Sequence, residues 1–95
     1  MNIKTFFAVL FARPGRFTGG DGSSFEQAVI ISEVNGEVAG IKAEHVWLHK
    51  HYPDCRLTRQ SLSEANGRAY DQMDIVTKDG QSHSVYFDIT SFYGT

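Results

Sequence analysis

Tyr70-Asp71-Gln72-Met73-Asp74-Ile75-Val76, the turn Lys78-Asp79-Gly80-Gln81, and Val85-Tyr86-Phe87-Asp88-Ile89 decide how this chain is read. In residues 83–89, Val85, Phe87 and Ile89 alternate with Ser84, Tyr86 and Asp88, the period-two pattern of a strand with one buried face. Residues 69–77 form a second strand, and Gly80 supplies the positive φ that a hairpin turn needs. Upstream, residues 56–63 read as a more polar strand carrying Leu57 and Leu62. Glu64-Ala65-Asn66-Gly67 turns that strand into the hairpin, so the C-terminal part is a three-stranded antiparallel meander.

Before the meander, residues 38–52 suit a helix stopped by Pro53-Asp54. Val38, Ile41, His45, Leu48 and Tyr52 share one face, which is expected to lie on the sheet. Ala39, Ala43, Val46 and Trp47 form a second stripe, assigned to a neighbouring helix. Ala28-Val29-Ile30-Ile31 is a β-branched run, apolar on both faces, that predicts a buried strand over about 28–34, and Asn35-Gly36 turns the chain after it. Residues 15–24, with four glycines, read as a structural loop, and Ser23 with Glu26 as a capping box for one short helical turn. That loop lacks the spacing and lysine of a phosphate-binding loop.

At the N-terminus Ile3, Phe6, Phe7, Leu10 and Phe11 recur at helical spacing, so residues 1–14 predict an amphipathic helix ended by Pro14-Gly15. The fold class is therefore α+β in the order α-β-α-β-β-β. A central helix packs on an antiparallel sheet, and residues 15–95 form a single domain.

Ninety-five residues suit one core, and 41% hydrophobic with 21% charged residues is an ordinary globular balance. Nine basic against eleven acidic residues give a net charge of -2, without the basic concentration that phosphate backbones demand, so no nucleic-acid partner is expected. A lone cysteine, Cys55, excludes an intrachain disulfide framework and fits a reducing compartment, hence a cytoplasmic location. Leu10 is wrong for a signal-peptide cut after Ala12, and no run approaches the ~20 apolar residues of a membrane span.

Chemistry-bearing residues are sparse. His45 and His49 stand four apart on the helix, a spacing that suits zinc, but His51 points away and the HExxH order is absent. No metal and no cofactor are expected. Asp71 and Asp74, three apart on one strand, fall on opposite faces. Asp88 is expected to accept backbone amides of residues 90–92 rather than to act on a substrate. His45, Tyr86 and Asp88 are the residues to inspect if a ligand pocket lies between helix and sheet.

Gly19-Gly20-Asp21-Gly22-Ser23-Ser24, Ala28-Val29-Ile30-Ile31, Gln60 and Leu62, Gly67-Arg68 with Tyr70-Asp71, Tyr86-Phe87-Asp88-Ile89 and Phe92-Tyr93-Gly94 carry a resemblance. Over residues 17–94 the chain resembles a small bacterial family of uncharacterised proteins sharing these segments. The resemblance implies a compact stand-alone domain and transfers neither activity nor cofactor.

Two functional expectations follow. The leading one is a non-enzymatic module that binds another protein or a second copy of itself through Phe6, Phe7, Phe11 and Trp47, with Phe92 and Tyr93 also in view. The other is an enzyme or small-ligand-binding domain with its pocket between the central helix and the sheet.

Overall fold

The computed structural model describes residues 15–94, so the helix expected over 1–14, with Phe6, Phe7 and Phe11, lies outside the described residues. One helix and five strands follow in the order β1 (Arg16–Gly19), β2 (Val29–Ser32), α1 (Gly36–His51), β3 (Arg56–Ala65), β4 (Arg68–Val76) and β5 (Ser82–Asp88). The α+β class and the C-terminal meander match the sequence expectation. Two features correct it.

First, Arg16–Gly19 is a strand, where glycine-rich punctuation reads as loop. It pairs antiparallel with β2, and Phe17 packs against the core. Second, the sheet is mixed. Its order is β1-β2-β5-β4-β3, with β5 antiparallel to β4 but parallel to β2. The crossover explains this. After β2 the chain passes through α1 to the far edge of the sheet and starts β3, and the meander returns until β5 arrives beside β2, running the same way.

Turn chemistry fixes the meander. Asn66 (φ 54°) and Gly67 (φ 75°) form the two-residue turn between β3 and β4, the left-handed pair that matches strand twist. Between β4 and β5, the Thr77 amide donates to Gln81 O (2.8 Å) and the Gly80 amide to Thr77 O (2.9 Å). The cap expected of Ser23 falls one residue later, where the Gln27 amide donates to Ser24 Oγ (3.1 Å). Asp21 instead accepts from the Ser23 amide and hydroxyl.

The core lies between α1 and one face of the sheet. Val29, Ile31, Met73, Ile75, Val85 and Phe87 project inward from the strands, and Ala43, Trp47 and Leu48 come down from the helix. Val85, Phe87 and Ile89 are buried as their alternation predicts, as are Ile75 and Leu48, but Ile41 and Val38, expected on the same helix face as Leu48, are 42% and 84% exposed. The helix is rotated from the face that aliphatic residues alone predict. Gly40, Ala43, Glu44, Trp47 and Leu48 are its buried positions. The cause is close packing: a methyl group at Gly40 would overlap the Phe92 ring, so only glycine lets that ring seat against the helix.

Trp47, expected as an exposed anchor, is buried edge-on against Phe87 (ring centroids 5.5 Å, 89°). Its other face is stacked by His51, whose Nδ1 lies 3.0 Å from Trp47 O. Phe92 is also buried, whereas Tyr93 remains exposed.

Candidate functional site

The inward rotation of α1 carries an ionisable residue into the core. Glu44 shares its face with Ala43, Trp47 and Leu48 and is 1% exposed. On β4 the alternation Ala69, Asp71, Met73, Ile75 points inward, which buries Asp71. The two carboxyl groups meet. Gln60 on edge strand β3 completes the group, its Nε2 donating to Asp71 Oδ2 at 2.6 Å.

Among the described residues neither Glu44 oxygen nor Asp71 Oδ1 has a hydrogen-bond donor. Two ionised carboxylates can only accept, so this contact is favourable when one proton lies between them. Gln60 supplies a donor to Asp71, and Glu44 has none from elsewhere. The proton therefore belongs on Glu44. Burial, reinforced by the neighbouring Asp71, pushes the Glu44 carboxyl up to about 10.

A cleft of about 390 Å³ opens beside this pair. Glu37, Ile41 and Glu44 line it from α1, and Gln60, Leu62 and Asp71 from β3 and β4. Ile89, Phe92 and Tyr93 close it from the segment after β5. It exists because β3, the outermost strand, is largely exposed along its length and is not roofed by the helix. Polar groups converge at one end of a wall otherwise made of Ile41, Leu62, Ile89 and Phe92, an arrangement common to small-ligand sites.

The residues singled out from sequence do not form this cleft. His45 is half-buried on α1, with its ring 6.5 Å from that of His49. Tyr86 lies on the opposite sheet face from the helix, against Phe25 (ring centroids 4.7 Å). Asp88 accepts from the Thr90 amide (3.1 Å), the Thr90 hydroxyl (2.6 Å) and Arg68 Nε. His45, Tyr86 and Asp88 do not line the cleft and are spread over both sheet faces. Among the described residues no three His, Cys, Asp or Glu side chains converge in a way that could hold a metal ion. Cys55 packs at the core's margin, and burial pushes its thiol upward, away from the reactive thiolate.

Asp88 is instead a fastener for the turn after β5. Burial works against its charge, but hydrogen bonds from Arg68 and Thr90 outweigh that and hold its carboxyl below the usual range. Asp88→Asn is expected to cost about 1 kcal/mol, because an amide oxygen still accepts from Thr90 and the lost partner Arg68 is half exposed. Asp88→Ala, which strips every acceptor, should cost about 2 kcal/mol or more. Urea melts of the two variants test this ranking, and equal losses would count against it.

Among the described residues no helix is long and apolar enough to cross a membrane. No protein-family model matches the chain, and no curated protein or solved structure matches it either.

Proposed function

We propose that this domain binds a small ligand in the cleft between α1 and the β3–β4 side of the sheet, with the ligand's polar head on the Glu44–Asp71 pair. The observation that carries this reading is the pair itself: buried carboxyl groups, short of donors, on the wall of a cleft whose lining also includes Ile41, Leu62, Ile89 and Phe92. Buried polar groups without partners are costly in a fold and are concentrated where a ligand supplies the missing partner. Gln60 orients Asp71, Glu44 holds the proton, and Ile41, Leu62, Ile89 and Phe92 accept the ligand's apolar body. The reading calls for no metal or cofactor.

A fragment screen followed by amide NMR tests it. Shifts should cluster on Ile41, Gln60 (side-chain amide included), Asp71, Ile89 and Phe92. Fragments that perturb only the outer face of α1 would overturn it.

A second reading, a domain that binds another protein, draws on that outer face, where Val38 and Val46 are exposed alongside Ile41. Among the described residues the expected anchor Trp47 is buried, and the exposed apolar residues of α1 are aliphatic. Replacing Val38 and Val46 with Ser should abolish partner capture under this reading and leave fragment binding in the cleft intact under the first.

A further inference from the structure

We infer that the ligand recognised by this cleft is an organic monocation, an ammonium or guanidinium group carried on an apolar body. The inference rests on the small-ligand reading above and adds the sign and number of charges.

The argument is one of matching. Glu44 is 1% exposed, lines the cleft, and has neither oxygen paired outside the carboxyl contact. Asp71 faces it from β4 with Oδ1 free of other donors and Oδ2 held by Gln60. With one proton between them, the pair offers one negative charge and several acceptor lone pairs, and Gln60 donates to one of them, Asp71 Oδ2. The groups that face it are Glu37 from its own helix, Gln60 and Leu62 from β3, and Ile89, Phe92 and Tyr93 from the closing segment. Among the described residues no cationic side chain lines the cleft.

Three ligand classes can be compared against this set. An anion would bring a second negative charge beside the buried pair, at low dielectric. A neutral alcohol or amide could donate one hydrogen bond but would leave the buried charge uncompensated. A divalent metal ion needs about six oxygen ligands, and among the described residues no three His, Cys, Asp or Glu side chains are grouped so as to hold one. An ammonium or guanidinium brings donors only, and its single charge cancels the single charge of the pair. The Phe92 and Tyr93 rings at the closing end add a favourable surface for a cation and for its hydrocarbon body.

Three isosteric probes titrated calorimetrically into the full chain at pH 7.5 and low salt make the test. They are phenethylamine, 2-phenylethanol and 3-phenylpropanoate. Phenethylamine is expected to bind at least about tenfold more tightly than the alcohol, and the carboxylate below detection. Asp71→Asn, with its fold checked by circular dichroism, should erase the preference for amine over alcohol. Because the comparison among probes on the unmodified protein needs no variant, it stands even if Asp71→Asn fails to fold. Equal affinity for amine and alcohol, or tighter binding of the carboxylate, would overturn the charge assignment while leaving the cleft as a ligand site. Silence from all three probes, on protein whose cleft the fragment screen has mapped, would overturn it too. Silence in both experiments would overturn the small-ligand reading itself.

Discussion

Glu44→Gln should melt well above the unmodified protein at pH 8, and its stability should stay level between pH 5 and 9 where that of the unmodified protein falls. The carboxyl of Glu44, ordinarily near 4.5, is pushed up to about 10 by burial and then by Asp71. A raised carboxyl means that the folded state holds a proton the unfolded state gives up. Its contribution is fully present below about 4.5 and is lost as pH rises toward 10, at a limiting slope of about 1.4 kcal/mol per pH unit. Glutamine is neutral at every pH, and its side-chain amide donates to Asp71 in place of the proton. Two pH units of such linkage correspond to about 3 kcal/mol, which for a chain of this size moves the melting temperature by more than about 10 °C. Working above pH 5 keeps the measurement clear of Asp88, whose lowered carboxyl contributes stability that is lost only at more acidic pH. Parallel pH slopes for the two proteins would mean that Glu44 is ionised in the folded state, and the one-proton description of the site would fall.

Phe87→Ala is expected to remove about 3–5 kcal/mol, the usual cost of truncating a buried phenylalanine and leaving its cavity. Phe87 is fully buried in the middle of the sheet, opposite Val29 of β2 and Asp71 of β4, and its ring meets Trp47 edge-on. It therefore ties both neighbouring strands and the helix together at one point. Domains of this kind hold only about 5–15 kcal/mol in total. Urea denaturation should show the midpoint collapsing toward zero denaturant. A loss under about 1 kcal/mol would show that the helix does not seal this face.

The strands of the meander were readable because each carries its own alternation and each turn its own glycine or Asn-Gly. Asp71 was readable as inward-facing too, since it shares parity with Met73 and Ile75. What sequence reading missed was its partner. Weighing aliphatic residues turns Val38 and Ile41 inward, whereas packing distance turns Gly40, Ala43 and Glu44 inward. The available signal was the pair of small residues Gly40 and Ala43, each four positions before a large residue of the same buried face, Glu44 and Trp47. Small residues mark where a helix comes close, and Glu44, next to Ala43 and one turn after Gly40, is carried inward with them. The encounter of Glu44 with Asp71 is a matter of tertiary geometry, as is the direction of β5 beside β2. Local patterns fix which face a residue occupies but not which residue of another element it meets.

The parallel pairing of β2 with β5 has a consequence for how the chain is made. Only two register pairs, Val29 with Phe87 and Ile30 with Asp88, join these strands, and the Ser91 hydroxyl adds a bond to Ile31 O (2.6 Å). The meander is built from local contacts that close in about microseconds, but β2 has no sheet to join until β5 exists. During synthesis, Val29, Ile30 and Ile31 leave the ribosome well before the strand that will cover one edge of them. For that interval the run can pair with β1 on one side only, and its other edge is open to other nascent chains. The earliest strands of this sheet wait for the latest.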